Sequence, residues 1–293
     1  MRVVKTIPDL RAARAALSES VGVVLTMGAL HAGHLALVRA ARQDHDHVLA
    51  TIFVNPTQFA PSEDLSKYPR PLERDLDLLR AAGVDVVFAP SPEVMYPAGF
   101  QTRVTVEHVT EGLEGAARPG HFQGVTTIVA KFFNLTQPTT TYFGQKDAQQ
   151  VVVIRRMVRD LNFPLTIAVI PTEREPDGLA MSSRNVYLTT EQRQNATALY
   201  RALGAAGHAY TTGERDPQAL RAAALAVLAD NGGEVEYVNL NDPRTLAPVE
   251  TATESPMLMS MVVRYGKTRL LDNGLLPASL NTRAGLTATL GGD

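Results

Sequence analysis

Two histidines and two glycines crowd one short stretch, Met27-Gly28-Ala29-Leu30-His31-Ala32-Gly33-His34. His31 and His34 are three apart, so at the start of a helix their side chains face one way. Gly28 and Gly33 let backbone come close to a ligand. A helix start also offers unpaired N–H groups and a positive dipole end, a ready place for an anion. Two imidazoles over such an end suit the phosphates of a nucleotide. Two other readings of the pair stay open. One is a metal site, although the metalloprotease pattern needs i, i+4 spacing and an intervening Glu. The other is plain helix capping at the surface.

Four more stretches hold groups of the right chemistry. Asn55-Pro56-Thr57-Gln58 places an amide that can both donate and accept, which suits a hydroxyl or carboxylate ligand; a simple Asn-Pro turn competes. Gly144-Gln145-Lys146-Asp147-Ala148-Gln149-Gln150 joins a flexible turn to a compact positive charge at a helix start, though such turns are common. Glu173 to Asn185 contains Gly178, Met181, Ser182, Ser183 and Arg184. Its hydroxyls and guanidinium suit a triphosphate, and its glycine lets a lid hinge there; capping serines at an ordinary hinge are the competing reading. Glu73 and Asp75 are magnesium ligands by charge, or else part of a solvated helix face. A Gly-rich run, Glu111 to Val125, contains Arg118 and His121 and enters a helix.

These stretches need elements to hold them. Val21–Leu25 is an apolar run of strand length, and Leu35, Leu37, Val38 and Ala41 follow at helical spacing up to about Asp44. Val48–Val54 completes a strand–helix–strand unit with parallel strands. A helix from Pro71, a strand at 84–88, a helix over 125–135, a strand at 140–143, a helix over 147–161 and a strand at 165–170 continue the alternation. A helix over 7–18 precedes it, and 101–106 reads as a short strand or an excursion. The alternation predicts an α/β fold, a doubly wound parallel sheet of Rossmann type over residues 1–172. Ligands of such sheets bind beyond the carboxyl ends of the strands, where the 26–34, 55–58 and 144–150 loops all fall. Beyond Thr172 the pattern changes to helices at 191–210 and 217–229, then strands at 234–240, 257–264 and 269–272. That order predicts a smaller α+β lid domain over 173–293, with a loose tail from Ala284.

Composition narrows the classes. The 293 residues suffice for one large or two ordinary domains. Twenty-eight basic and 30 acidic residues leave a formal charge of −2, which gives no reason to expect nucleic acid or an anionic membrane as partner. The chain has no cysteine, so disulfides and thiolate chemistry are excluded. No apolar run reaches transmembrane length, and Met1 to Lys5 opens no signal-like segment. A cytoplasmic protein is expected.

The Thr26-Met27-Gly28-x-Leu30-His31-x-Gly33-His34 pattern resembles the signature of the pantoate–β-alanine ligases, a family of nucleotidylyltransferase-like enzymes with a His-x-Gly-His motif. The later blocks resemble it as well, so the likeness spans nearly the whole chain. It implies ATP and Mg2+, the substrates pantoate and β-alanine, and a homodimer. It also implies roles residue by residue. His31 and His34 bind phosphate oxygens, with His34 at the departing group. Met27 to His34, Gly144 to Asp147, Glu173 and Met181 to Arg184 contact ATP. Lys146, Ser182, Ser183 and Arg184 neutralise growing phosphate charge. Gln58 and Gln150, with Asn55, hold pantoate, and Arg118 supports the site. Only Asp75 carries over as a metal ligand, because one of the family's paired acids falls on Arg74. Leu25 stands where the family usually has Pro, Gln145 where it has Glu, Ala148 where it has an aromatic and Glu173 where it often has Val. Two competing functions remain at this point: a nucleotidylyltransferase that stops at a nucleotide product, and a non-catalytic nucleotide-binding module.

Overall fold

The structure, a computed structural model, describes residues 1–17, 20–59 and 65–292. The end of the expected first helix and the middle of the expected 55–66 loop lie outside them. The described chain forms two compact units: 1–144 with 149–170, and 145–148 with 171–293.

The first unit contains β1 (Arg2–Val4), α1 (Ile7–Ala15), β2 (Val21–Thr26), α2 (Ala32–Asp44), β3 (His47–Ile52), α3 (Leu72–Ala81), β4 (Val86–Phe88), α4 (Pro92–Met95), α5 (Glu114–Ala117), α6 (His121–Thr136), β5 (Thr140–Gly144), α7 (Ala148–Asp160) and β6 (Thr166–Ile170). Six strands pair in the order β1-β4-β3-β2-β5-β6, every pair parallel. Parallel strands covered on both faces need apolar residues at successive positions, and Val21, Val23, Val24, Val48, Leu49 and Ala50 are all fully buried. The chain runs outward from β2 to β4, then returns to the other side at β5. β2 and β5 are therefore neighbours at the point where the strand order reverses, the place where doubly wound sheets bind ligands.

The second unit contains α8 (Thr190–Asn195), α9 (Ala198–Thr211), α10 (Pro217–Leu228), β7 (Glu234–Asn241), β8 (Met257–Tyr265), β9 (Thr268–Leu276) and α11 (Arg283–Thr289). β7, β8 and β9 form an antiparallel sheet. Its apolar core gathers Leu199, Leu220, Met257, Met259 and Met261, all almost completely buried. This α/β sheet with a small α+β unit is the expected fold class.

Several expectations need correction. Strand β1 is unforeseen because it is a three-residue edge strand with only Val4 buried. Of the two readings of residues 101–106 the excursion is the one found: they form no strand, and the Val104 N–H donates to Thr127 Oγ1 while its carbonyl accepts from Thr126 Oγ1. Side chains of α6 thus satisfy backbone groups that a sheet neighbour would otherwise pair. The expected helix over 191–210 is two helices, α8 and α9, where the Thr197 hydroxyl donates to the Gln194 carbonyl and competes with the helical ladder. The tail is not loose. Thr282 caps α11 by accepting from the Gly285 N–H, and Leu286 and Leu290 are completely buried.

Candidate active site

The turn after β2 is held from beneath. Gly28 and Ala29 both adopt left-handed backbone, at φ +83° and +52°. A conformation so rare for alanine persists only where its surroundings impose it, and Asp75 is what imposes it. Its Oδ2 accepts from the Ala29 N–H at 2.7 Å, and its Oδ1 from the Leu30 N–H at 2.9 Å. A Cβ on residue 28 would come within 3.0 Å of Asp75 Oδ2, so glycine is needed for space as well as for φ. Thr26 and Thr51 tie the end of β2 to β3, with the Thr26 hydroxyl donating to the Thr51 carbonyl at 2.6 Å.

The two histidines cap α2. His31 is the N-cap, with its Nδ1 accepting from the Gly33 N–H at 3.1 Å. His34 Nδ1 accepts from the His31 N–H at 3.4 Å. The rings tilt against each other with centroids 4.1 Å apart. Because both Nδ1 atoms act as acceptors, the neutral rings carry their proton on Nε2. Capping and chemistry are thus compatible here: the cap bonds fix ring orientation and tautomer, and Nε2–H is the donating atom.

A second polar cluster lies on the 3-10 turn Pro56–Gln58. Asn55 is 1% exposed. Its Nδ2 donates to Gln58 Oε1 at 3.0 Å and to the Gly124 carbonyl at 3.1 Å. Its Oδ1 accepts from Tyr96 Oη at 2.7 Å and from Thr57 Oγ1 at 3.0 Å. Gln58 Nε2 in turn lies 3.0 Å from Met27 Sδ. Helix α6 comes so close that a Cβ on residue 124 would lie 2.3 Å from the Thr57 carbonyl oxygen, which explains the glycine. At the start of α6, His121 Nδ1 donates to the Gln58 carbonyl at 2.8 Å, and its Nε2 accepts from Arg118 at 3.1 Å. A cavity of about 300 Å³, lined by Met27, Gly28, Phe53, Arg70 and Pro90 among others, adjoins the turn.

The second unit carries the cations. Lys146 follows Gln145, which is buried and donates from Nε2 to Asn281 Oδ1 at 2.6 Å. Asn273 Nδ2 donates to the carbonyls of Gln145 and Lys146, at 3.1 and 2.8 Å. Residues 173–181 form a tight hairpin: the Met181 N–H donates to the Glu173 carbonyl, and Gly178 turns at φ +92°. Arg174 binds the fully buried Asp272 carboxylate through two bonds of 2.6 and 3.0 Å. Ser182 caps the following 3-10 turn, Ser183–Tyr187, by accepting from the Arg184 N–H. Lys146, Ser182, Arg184 and Arg269 line one small cavity of about 10 Å³.

The family model described as pantoate-beta-alanine ligase matches residues 2–275. The chain belongs to the pantoate–β-alanine ligase family. It is 58% identical over 279 residues to the pantothenate synthetase of Roseiflexus castenholzii, a match covering 95% of this chain and 100% of that protein. The crystal structure of pantothenate synthetase from Thermus thermophilus superposes with a TM-score of 0.88 at 50% identity, covering 93% of this chain and 98% of that one. The pantoate-beta-alanine ligase of Francisella tularensis, solved in complex with β-γ ATP and β-alanine, has a TM-score of 0.77 at 33% identity, with 94% and 97% covered.

Within this ligase the expected residues divide into three groups. Met27, His31 and His34 gather on one turn, with Gln58 touching Met27. Lys146, Ser182 and Arg184 gather in the second unit, with Ser183 and Asp147 on the same two short turns. Gln150 lies half-buried in the first turn of α7. Two assignments change. Asp75 does not fit a magnesium ligand: it is 1% exposed, both its oxygens hold backbone N–H groups, and no cluster of three acids or histidines that could hold a metal occurs among the described residues. The N–H groups of Ala29 and Leu30 point to that carboxylate rather than to a phosphate. Asn55 is buried beneath Gln58, with both ends of its amide bonded to protein groups. Tyr96, Asn273 and Asp272 were unforeseen, since each acts from a distant element and no local spacing marks it.

Proposed function

We propose that the enzyme joins pantoate to β-alanine in two steps at the expense of ATP. The pantoate carboxylate attacks the α-phosphorus, forming pantoyl adenylate and releasing pyrophosphate. The β-alanine amine then attacks the acyl carbon, forming the amide and releasing AMP. The protein's part is to position reactants and to stabilise charge. His31 and His34 donate from Nε2 to phosphate oxygens, with His34 at the departing pyrophosphate. Lys146, Ser182, Ser183 and Arg184 neutralise charge on the phosphates, with Met27, Gly28, Ala32, Gly33, Gly144, Gln145, Asp147, Glu173 and Met181 as the surrounding nucleotide contacts. Gln58 and Gln150 hold pantoate, and Arg118 braces Gln58 through His121. Residues 1–172 bind ATP and pantoate in this reading, and 173–293 supply the lid. Magnesium enters only as the counter-ion of the nucleotide's phosphates.

The observation that carries the reading is the paired capping of His31 and His34, which puts the proton of both rings on Nε2. The family's ligand-bound member from Francisella tularensis supports ATP and β-alanine as ligands. No described helix is long and apolar enough to cross a membrane; a cytoplasmic homodimer without nucleic-acid or membrane partners completes the proposal. The test is exchange of labelled pyrophosphate into ATP, without β-alanine. Pantoate-dependent exchange is expected, and added β-alanine should yield AMP and amide in equal amounts. Exchange only with a phosphorylated acceptor would point instead to a transferase that stops at a nucleotide. No exchange with any acceptor would point to a binding module.

A further inference from the structure

Asn55 has its two ends dictated by backbone. The Thr57 N–H, a fixed donor, faces Oδ1 at 3.4 Å, and the Gly124 carbonyl, a fixed acceptor, faces Nδ2 at 3.1 Å. Nδ2 therefore also meets Gln58, and Gln58 must turn Oε1 toward it. Gln58 Nε2 is left pointing the other way, toward Met27 Sδ at 3.0 Å. A thioether is a weak acceptor, so a substrate oxygen reaching Nε2 makes a better bond than the one it displaces.

Tyr96 adds a further donor to the same Asn55 oxygen. Its hydroxyl donates to Asn55 Oδ1 at 2.7 Å and lies 3.1 Å from Thr57 Oγ1, which reaches the same oxygen at 3.0 Å. The ring is wedged between Phe53 and Phe100, with centroids 6.3 and 5.1 Å away. Burial pushes the phenol above its usual range, so the hydroxyl remains a donor across the neutral range. The relay runs from Tyr96 through Asn55 to Gln58, over 41 and then 3 residues of sequence.

We propose that Tyr96 is a positioning residue that reinforces, through Asn55, the direction of the Gln58 amide, so that the site selects a substrate presenting oxygen acceptors there. The proposal rests on the reading that Gln58 holds pantoate. A ring-bearing residue forty positions away would then tune pantoate affinity without touching the substrate.

The test is a double-mutant cycle on the full-length enzyme, reading KM for pantoate and for ATP by pyrophosphate exchange, with the melting temperature measured alongside. Tyr96→Phe keeps the ring packing and removes only the hydroxyl. It should raise KM for pantoate about fivefold, the size of one neutral hydrogen bond, and leave KM for ATP within twofold. Thr57→Val removes a second donor to the same oxygen and should raise the same KM without disturbing the rings. In a Gln58→Ala background, Tyr96→Phe should add nothing. Equal effects on both substrates, or a full fivefold added on top of Gln58→Ala, would overturn the relay. If Gln58→Ala weakens pantoate but neither Tyr96→Phe nor Thr57→Val does, the relay alone fails. If Gln58→Ala leaves pantoate unaffected, the underlying assignment of Gln58 falls, and the relay with it.

Discussion

Around His31 and Gln58 the polar groups are fixed by largely buried bonds, whereas around Ser182 they stand on a more exposed 3-10 turn tied down by the Ser182 cap and by the Asn185 amide on the Ala180 carbonyl. In the first region Asp75 and Asn55 are each 1% exposed and spend their side-chain atoms on holding other residues. In the second region Arg184 is exposed, and the buried carboxylate nearby, Asp272, is used by Arg174. On the proposed assignment of the site, the difference separates two ways of handling an anionic substrate. Preorganised donors act by orientation and lose strength when a single support moves. Exposed cations act by charge, tolerate motion and are weakened by salt.

The largest test of that contrast is His34→Ala. Removing one oriented donor should lower turnover by about 100-fold or more, roughly 3 kcal/mol, with the melting temperature little changed. Turnover within twofold of the unmodified enzyme would remove His34 from the chemistry.

A second test asks whether the exposed site of the second unit rests on a dry core. Tyr265 is 1% exposed, and desolvation pushes its phenol from 10.0 up to about 12. The folded state thus favours the neutral form, and this contribution is complete below pH 10. It is lost as pH rises from about 10 to about 12, where the unfolded chain ionises first. The loss amounts to about 2–3 kcal/mol. Denaturant titrations across that range should show it, and Tyr265→Phe should flatten it.

Asp75→Asn comes next. An amide offers one acceptor oxygen where the carboxylate offered two, so one buried N–H of the turn loses its partner. Stability should fall by about 1–3 kcal/mol and turnover should drop, while the magnesium concentration for half-maximal activity stays the same. A shifted magnesium requirement with unchanged stability would restore Asp75 as a metal ligand. The smallest effect is expected at Arg184→Gln. An exposed charge contributes roughly 1 kcal/mol, so KM for ATP should rise about fivefold at low salt, and the difference should shrink toward 0.5 M salt as screening grows. A larger loss that is insensitive to salt would mean that Arg184 acts by orientation after all.

Much of this was readable from residues alone, and the reason differs by element. The parallel sheet was legible in strands such as β2 and β3, whose mostly apolar runs Val21–Leu25 and Val48–Ile52 announce burial on both faces. The motif turn was visible because glycines and histidines mark it within eight positions. β1 carried no such mark, since one buried valine in three residues makes no pattern. The tail looked loose because Gly and Thr dominate it, yet Leu286 and Leu290 alone bury enough apolar surface to dock α11.

By itself the sequence determined the repeated strand–helix alternation, the capping histidines and the family, because each depends on residues close together in the chain. Only the tertiary structure decided what Asp75, Asn55 and Tyr96 do. Their partners lie 46, 69 and 41 positions away, and a side chain's role follows from which donors the fold brings within hydrogen-bonding reach of it. An acid near the start of a helix can coordinate a metal, face water or hold a turn; burial against two backbone N–H groups chose the last for Asp75.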